Sequence, residues 1–220
     1  MSDQWKRLAP LTGVLFTLLI VVAIITSNGE TPKPSASPAK VVLYYASHRS
    51  EVETSGILFA LAFLVLVLFA GALRSYLRPA AEGLGALVLA GSVLMAVGAL
   101  TGGGLEYGIA HNLHDLTPEM AKTLNFVSNE LFLPLVAGAF IFGVCSGLAI
   151  LRGAPLPNWL GVVAILIGIV SLVPPAGMGA LFAFVIWTVV VAVLMYMRSG
   201  KAADTAGATG AAGEPLGSTT

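Results

Sequence analysis

The chain has 220 residues, of which 57% are hydrophobic and only 10% are charged. Soluble globular proteins carry about 25% charged residues, so this composition excludes a soluble domain and is typical of an integral membrane protein. Eleven basic and eleven acidic residues give a formal net charge of zero, which excludes nucleic-acid binding through a basic surface.

Long uncharged stretches predict the membrane-spanning helices. A bilayer core of about 30 Å needs about 20 apolar helical residues. Six stretches approach that length, at residues 8–26, 56–73, 83–105, 126–151, 159–173 and 177–197. The sequence therefore predicts an all-α, polytopic transmembrane helical bundle of about six spans, in a single domain over residues 1–198. The fifth stretch is short and precedes Pro174 and Pro175, which leaves a re-entrant pair with the sixth as an alternative.

The first stretch follows Lys6 and Arg7, as the apolar segment of a secretory signal does. It is long enough to span the bilayer, and no small-residue cleavage pattern closes it convincingly. An uncleaved anchor is predicted.

Two proline-led segments predict short amphipathic helices on the outer side. Ser37 before Pro38 has the pattern of an N-cap with proline at the first helical position, and an apolar stripe follows at Val41, Val42, Tyr45 and Val52. We expect this helix to bend into the second span near Ser55 and Gly56. Thr117 before Pro118 repeats the pattern.

The fourth helix is predicted to begin at Pro118 and to protrude beyond the hydrocarbon. Asn125 and Asn129 are four residues apart and share one face, with Glu130 beside them. Glu130 is the acid expected inside a span, where ionisable groups are costly and are candidates for function. Pairing with Arg49 or Lys122 is the structural alternative. Pro134 is expected to kink the helix close to Glu130.

The distribution of basic residues predicts the orientation. Seven of them fall on one side of the predicted topology: Lys6, Arg7, Arg74, Arg78, Arg152, Arg198 and Lys201. Four fall on the other: Lys33, Lys40, Arg49 and Lys122. Since short cytoplasmic loops are rich in Lys and Arg, both termini are predicted to be cytoplasmic, in a multi-pass protein of the inner (plasma) membrane. Residues 199–220 are rich in Ala, Gly and Thr and predict a disordered cytoplasmic tail.

The histidines predict a metal site. His111 and His114 are separated by one helical turn, and Glu106 or Asp115 would supply oxygen ligands to zinc or another divalent metal. This spacing also arises by chance, and solvated loop histidines are the alternative. No other cofactor is expected, since the predicted spans contain no histidine for haem ligation.

Small residues at four-residue spacing predict close helix crossings. They are Ala139, Gly143 and Gly147 in the fourth span and Gly98 with Gly102 in the third. An interface between copies of the chain in a homo-oligomer is the alternative function of these small residues.

The segment VVLYYASHR at residues 41–49, and LPNWLG at 156–161 before the fifth span, resemble a family of uncharacterised bacterial six-span membrane proteins with a domain of unknown function. The likeness covers most of the chain. It implies the topology and adds no catalytic residue.

Three functions remain open. The first is a non-enzymatic membrane component that binds the lipid bilayer and a membrane protein partner. The second is a small transporter or permease in which Asn125, Asn129 and Glu130 bind the substrate near the kink at Pro134. The third is an extracytoplasmic metal-dependent enzyme. No catalytic residue is predicted.

Overall fold

A computed structural model describes residues 8–27, 31–78, 81–173 and 176–211, with the backbone alone for Glu82 and residues 199–211. Three sets of predictions lie outside these residues: those on Lys6 and Arg7, those on Pro174 and Pro175, and that for the last part of the tail, 212–220.

The described residues form helices joined by short connections. A 3-10 turn at Ala9–Leu11 leads into α1 (Thr12–Thr26), followed by α2 (Pro38–Ser47), α3 (Arg49–Leu77) and α4 (Glu82–His111). A second 3-10 turn, Leu113–Asp115, precedes α5 (Pro118–Glu130), α6 (Phe132–Leu151), α7 (Asn158–Ser171) and α8 (Ala176–Ala211). The predicted all-α transmembrane bundle is confirmed.

Five helical stretches are long and apolar enough to cross a membrane: Ala9–Thr26, Arg49–Leu77, Gly83–His111, Pro118–Leu151 and Ala176–Arg198. The sixth predicted span is α7, whose 14 residues rise only about 21 Å, less than a hydrocarbon core of about 30 Å. The prediction of about six spans is therefore confirmed for five helices, and the sixth is apolar but short.

The bundle packs in a continuous order. α4 packs between α3 and α6, α6 packs on α7, and α1 packs on α3 and α8. Aromatic rings fill the middle of the bundle. Phe142 and Phe184 pack edge to face with 5.1 Å between their ring centroids, and Trp187 donates its indole N–H to the carbonyl oxygen of Leu160 at 3.0 Å. The buried indole thereby obtains the partner that it needs.

The predicted close crossings are found at Gly98, Gly143 and Gly147, but not at Gly102, where a Cβ would lie 3.5 Å from the nearest atom. A Cβ on Gly98 would lie 2.8 Å from the backbone nitrogen of Leu135, and a Cβ on Gly143 would lie 2.6 Å from the carbonyl oxygen of Ala164. Gly138 is equally tight against α4, where a Cβ would lie 2.6 Å from the carbonyl oxygen of Gly91. Only glycine lets these backbones approach so closely.

At one end of the bundle, α2, the turn Leu113–Asp115 and α5 form a structure that we call the cap. α3 and α4 have 29 and 30 residues, so each rises about 44 Å and extends beyond a bilayer core into the cap. The cap has its own apolar cluster, made by Val41, Tyr45, Val52, Ile109, Ala110 and Ala121.

Both predicted lead-in helices of the cap are confirmed. The Ser37 hydroxyl accepts a hydrogen bond from the backbone N–H of Lys40, and the Thr117 hydroxyl accepts one from that of Met120. The predicted bend near Ser55 and Gly56 is wrong, since the chain turns at His48, with φ −118° and ψ 25°. α3 is continuous through Gly56, where a Cβ would make ordinary contact at 3.7 Å from the carbonyl oxygen of Gly103.

The predicted kink near Pro134 is found as a break between α5 and α6 at Leu131. Proline has no N–H for the carbonyl group of Glu130, four residues earlier, and its ring crowds that carbonyl. The helix therefore ends one turn before the proline and restarts.

The opposite end of the bundle, which we call the base, brings together residues that the sequence placed on one side. The Tyr76 hydroxyl donates to the carbonyl oxygen of Pro155 at 3.1 Å, and the Arg198 guanidinium donates to the same oxygen. Helical backbone continues to Ala211, into the segment predicted to be disordered, and the disorder of the remaining tail stays a prediction.

Candidate functional site

Asn125 joins three segments of the cap. Its side chain is 1% exposed, and its Oδ1 accepts a hydrogen bond from the Tyr45 hydroxyl at 3.0 Å. Its Nδ2 donates to the carbonyl oxygen of Pro32, also at 3.0 Å. Both polar atoms of this residue, which was predicted to bind substrate, are thus hydrogen-bonded to α2 and to the loop before it. Asn125 holds these two segments against α5.

The two other predicted substrate residues, Asn129 and Glu130, follow Asn125 at the end of α5. Asn129 donates from Nδ2 to the backbone oxygen of Asn125 at 2.7 Å. Glu130 is the last residue of α5 and is exposed. Arg49, one of its two predicted partners, pairs instead with Glu53 at 2.9 Å.

Glu106, which the sequence placed just beyond the third span, is held between two helices. Its Oε1 accepts a hydrogen bond from the Ser128 hydroxyl at 2.9 Å, and the same hydroxyl lies 3.3 Å from the carbonyl oxygen of Gly102. The hydrogen bond between Glu106 and Ser128 links α4 to the last turn of α5, just before the break at Leu131. A carboxyl group between spans is where protons or cations are handled in transporters.

Two tyrosines of α2 lie near this carboxyl group. Burial raises the pKa of Tyr44, and the carboxyl groups of Glu106 and Glu51 raise it further. Burial is also the main cause of the raised pKa of Tyr45, followed by Glu106. Both phenols therefore stay protonated, and Tyr45 keeps the proton that it donates to Asn125.

The predicted metal ligands lie in three separate places. Glu106 is bonded to Ser128. His111 stacks on Tyr107 and lies 3.1 Å from Glu53 Oε1 through its Nδ1. His114 lies 3.2 Å from Asp115, with both side chains more than 70% exposed.

Among the residues that the structure describes, no three His, Cys, Asp or Glu side chains lie close enough to hold a metal ion. The divalent metal therefore stays a prediction, without an assembled ligand set to support it.

An open cleft of about 390 Å³ lies between α2 and the end of α4. Ala46, Ala110 and Leu113 supply apolar lining, and Arg49 and His114 supply the polar groups. Tyr45 also lines the cleft, but its hydroxyl is bonded to Asn125. The Arg49 side chain is half exposed, so its charge is available at the rim although it pairs with Glu53. The arrangement suits a short apolar group that carries a negative charge.

Ser128 and Glu53 were not among the site residues predicted from the sequence. A signal for Ser128 was present, because Ala121, Asn125 and Ser128 follow one another at the spacing of one helix face and all three are buried. Glu53 follows Arg49 by one turn, which is the spacing of a helical ion pair.

Comparisons with protein-family models, with curated proteins and with solved structures found no match. The resemblance to a family of six-span bacterial membrane proteins therefore stays a prediction.

Proposed function

We propose that this protein is a non-enzymatic membrane component that binds a partner protein through the cleft of its cap. One observation carries the proposal: Asn125 and Asn129 are committed to bonds within the cap, while the cleft lined by Tyr45, the partner of Asn125, is open. Side chains used in this way fix a surface in one shape, and a preformed surface costs less conformational entropy on binding.

The chemistry of the cleft indicates the part of the partner that would bind. Its apolar lining favours an aliphatic or aromatic side chain, and Arg49 favours a neighbouring carboxylate, which guanidinium groups bind through paired hydrogen bonds. We infer that an apolar residue followed or preceded by Asp or Glu is the recognised element. A second copy of this chain is one source of such a segment.

Site-specific photo-crosslinking tests this proposal in intact membranes. A photoreactive residue at Leu113, in the cleft, is expected to give one discrete adduct, and the same residue at Arg152, at the base, is not. The variant Ala46→Trp, in which an exposed alanine of the lining is replaced by a side chain that fills the cleft, and Arg49→Glu, which reverses its charge, should both abolish the adduct. An adduct that survives both changes would show that the cleft is not the binding site. The mass of the adduct distinguishes a second copy from another protein.

A second function, transport, is supported by the position of Glu106. Its bond to Ser128 connects α4 to the broken helix α5–α6, and broken helices surround the ion sites of many transporters. In this alternative Glu106 has the role that the sequence assigned to Glu130. Proton release from loaded vesicles is the test: Glu106→Gln should abolish it and Glu130→Gln should not. Equal proton release in the wild-type protein and in Glu106→Gln would contradict this function.

We further propose a multi-pass protein of the inner (plasma) membrane with both termini in the cytoplasm. The support is the base, where Arg74, Arg78, Arg152 and Arg198 come from three separate parts of the sequence. Cytoplasmic loops are rich in such residues. A reporter that is active only in the cytoplasm should be active when fused after Thr220, and an inactive fusion would contradict the orientation.

A further inference from the structure

We propose that the base binds the headgroup of an anionic phospholipid beside Arg74. A cavity of about 240 Å³ lies there, between the last turns of α3 and the early part of α4. It is lined by Gly71, Arg74, Ser75, Arg78 and Leu89. Gly71, Arg74 and Ser75 lie on one face of α3, and Arg78, which directly follows the helix, continues this face at the same spacing.

The charged part of the cavity fits a phosphate group. Arg74 and Arg78 are four residues apart and therefore neighbours on the helix surface. A guanidinium group presents a planar set of N–H donors that matches phosphate oxygens. Arg78 also has another interaction, so the site depends first on Arg74, whose side chain is exposed. The Ser75 hydroxyl donates to the carbonyl oxygen of Gly71 at 3.1 Å.

The other part of the cavity is apolar and open. A Cβ placed on Gly71 would have no atom within 4 Å, so this turn of α3 leaves empty space beside it. Leu89, on the facing helix, packs against the core of the bundle. A phospholipid matches both features of the cavity, since a glycerol backbone links its phosphate to apolar acyl chains. A free phosphate ion would use only the arginines.

The location also favours a lipid. Arg74 is in the last turn of a helix long enough to span, which places its charge where the span leaves the hydrocarbon. Basic pockets between transmembrane helices at this level bind anionic headgroups, with about 1 kcal/mol for each Lys or Arg near the surface. This is about a fivefold change in affinity for each charge removed.

The test measures lipid retained by the full-length protein. The protein is reconstituted in bilayers of equal phosphatidylglycerol and phosphatidylcholine, released into mild detergent, and weighed with its bound lipid by native mass spectrometry. Wild type is expected to retain phosphatidylglycerol in preference to phosphatidylcholine. Arg74→Gln should lower the retention about fivefold. Arg152→Gln, an exposed arginine at the same end and outside the cavity, should not change it.

Gly71→Leu tests the cavity without changing charge. The new side chain occupies open space, so the variant should fold, which its thermal unfolding confirms, and should lose the retained phosphatidylglycerol. Equal losses in Arg74→Gln and Arg152→Gln would show attraction by overall charge and overturn the proposal. Unchanged retention in Gly71→Leu would overturn it as well, and so would displacement of the lipid by inorganic phosphate.

Discussion

The bundle and the cap are held together by different interactions. In the bundle, helices meet through glycine, and the carbonyl oxygen of one helix lies where the next would carry a Cβ, as at Gly91 and Gly138. In the cap, helices meet through a few hydrogen bonds between side chains and a small apolar cluster, with Tyr45 and Asn125 at its centre. Close packing of helix backbones therefore holds the bundle together, and hydrogen bonds between specific side chains hold the cap together.

The difference follows from the two solvents. Lipid tails are as apolar as leucine, so burial of leucine does not bring helices together in a bilayer, and close van der Waals contact has to do so. The cap extends beyond the hydrocarbon, where water makes burial of Val41 and Tyr45 favourable. Buried polar groups in the cap then need partners, which Asn125 supplies.

The largest effect is expected from filling a glycine crossing in the bundle. In Gly138→Val the new Cβ would lie 2.6 Å from the backbone nitrogen of Met95, and backbone cannot move aside as a flexible side chain can. Overpacking typically costs about 1–3 kcal/mol, and this variant is expected well above that range because its Cβ would also lie 2.6 Å from the carbonyl oxygen of Gly91. Thermal unfolding in detergent should show a large fall in the midpoint temperature.

The matched control is Gly179→Val in α8, where a Cβ has no atom within 4 Å. This variant should unfold close to wild type. Equal destabilisation of both would mean that loss of glycine itself, rather than the crossing, is responsible.

The next effect is expected from breaking the polar pair of the cap. Asn125→Leu leaves the Tyr45 hydroxyl and the Pro32 carbonyl oxygen without their partner, which costs about 1–3 kcal/mol for each unpaired buried group. Hydrogen exchange of the α2 amides should become faster, while exchange in α6 stays unchanged.

Tyr45→Phe tests whether the two side chains act as a pair. Combined with Asn125→Leu it removes both the donor and the acceptor, so the double variant should be destabilised by less than the sum of the single variants. Simple additivity would mean that the bond contributes nothing of its own.

A smaller effect is expected from pH. The pKa of Tyr45 is raised above its ordinary value of 10.0, so the folded cap favours the protonated phenol. The stabilisation is complete below pH 10.0 and is lost as the pH rises further, because the unfolded chain then releases a proton that the folded cap retains. Exchange of the α2 amides, corrected for the intrinsic rate, should accelerate above that pH. In Tyr45→Phe this acceleration should be weaker.

The smallest effect is expected at the exposed end of the cap. Arg49 and Glu53 form a helical ion pair at 2.9 Å, with half of the Arg49 side chain in solvent. Such pairs contribute little to stability and are screened by salt. Glu53→Gln should leave the unfolding midpoint within experimental error at high salt. A clear loss of stability would show that the contact of Glu53 with His111 has a structural role.

Most of the fold was predictable because its signals are local. Ser37 and Thr117 are N-cap residues followed by proline, and these pairs determine where two helices begin. Pro134 lacks an N–H, which determines the helix break at Leu131, three residues earlier. The bend near Gly56 was predicted wrongly because a glycine permits a bend without requiring one. The chain turns at His48 instead, and α3 continues through Gly56.

The site was less predictable, because a polar residue does not show in the sequence which partner it has. Asn125, Asn129 and Glu130 look alike as candidates, yet the first is buried and bonded to α2 and the last is exposed. The role of Glu106 depends on a bond to Ser128, 22 residues away. Such pairings depend on how the helices cross, which a single sequence does not contain.

The bond between Tyr45 and Asn125 also sets an order of assembly. The two residues are 80 positions apart, so α2 leaves the ribosome long before its acceptor exists. During synthesis α2 has its own backbone bonds but lacks Asn125 and most of its apolar partners, until α3 and α4 are in place and α5 has followed them. The cap is therefore a late product of biogenesis, and a chain that stops before Pro118 would contain all of α2 and expose it to proteases.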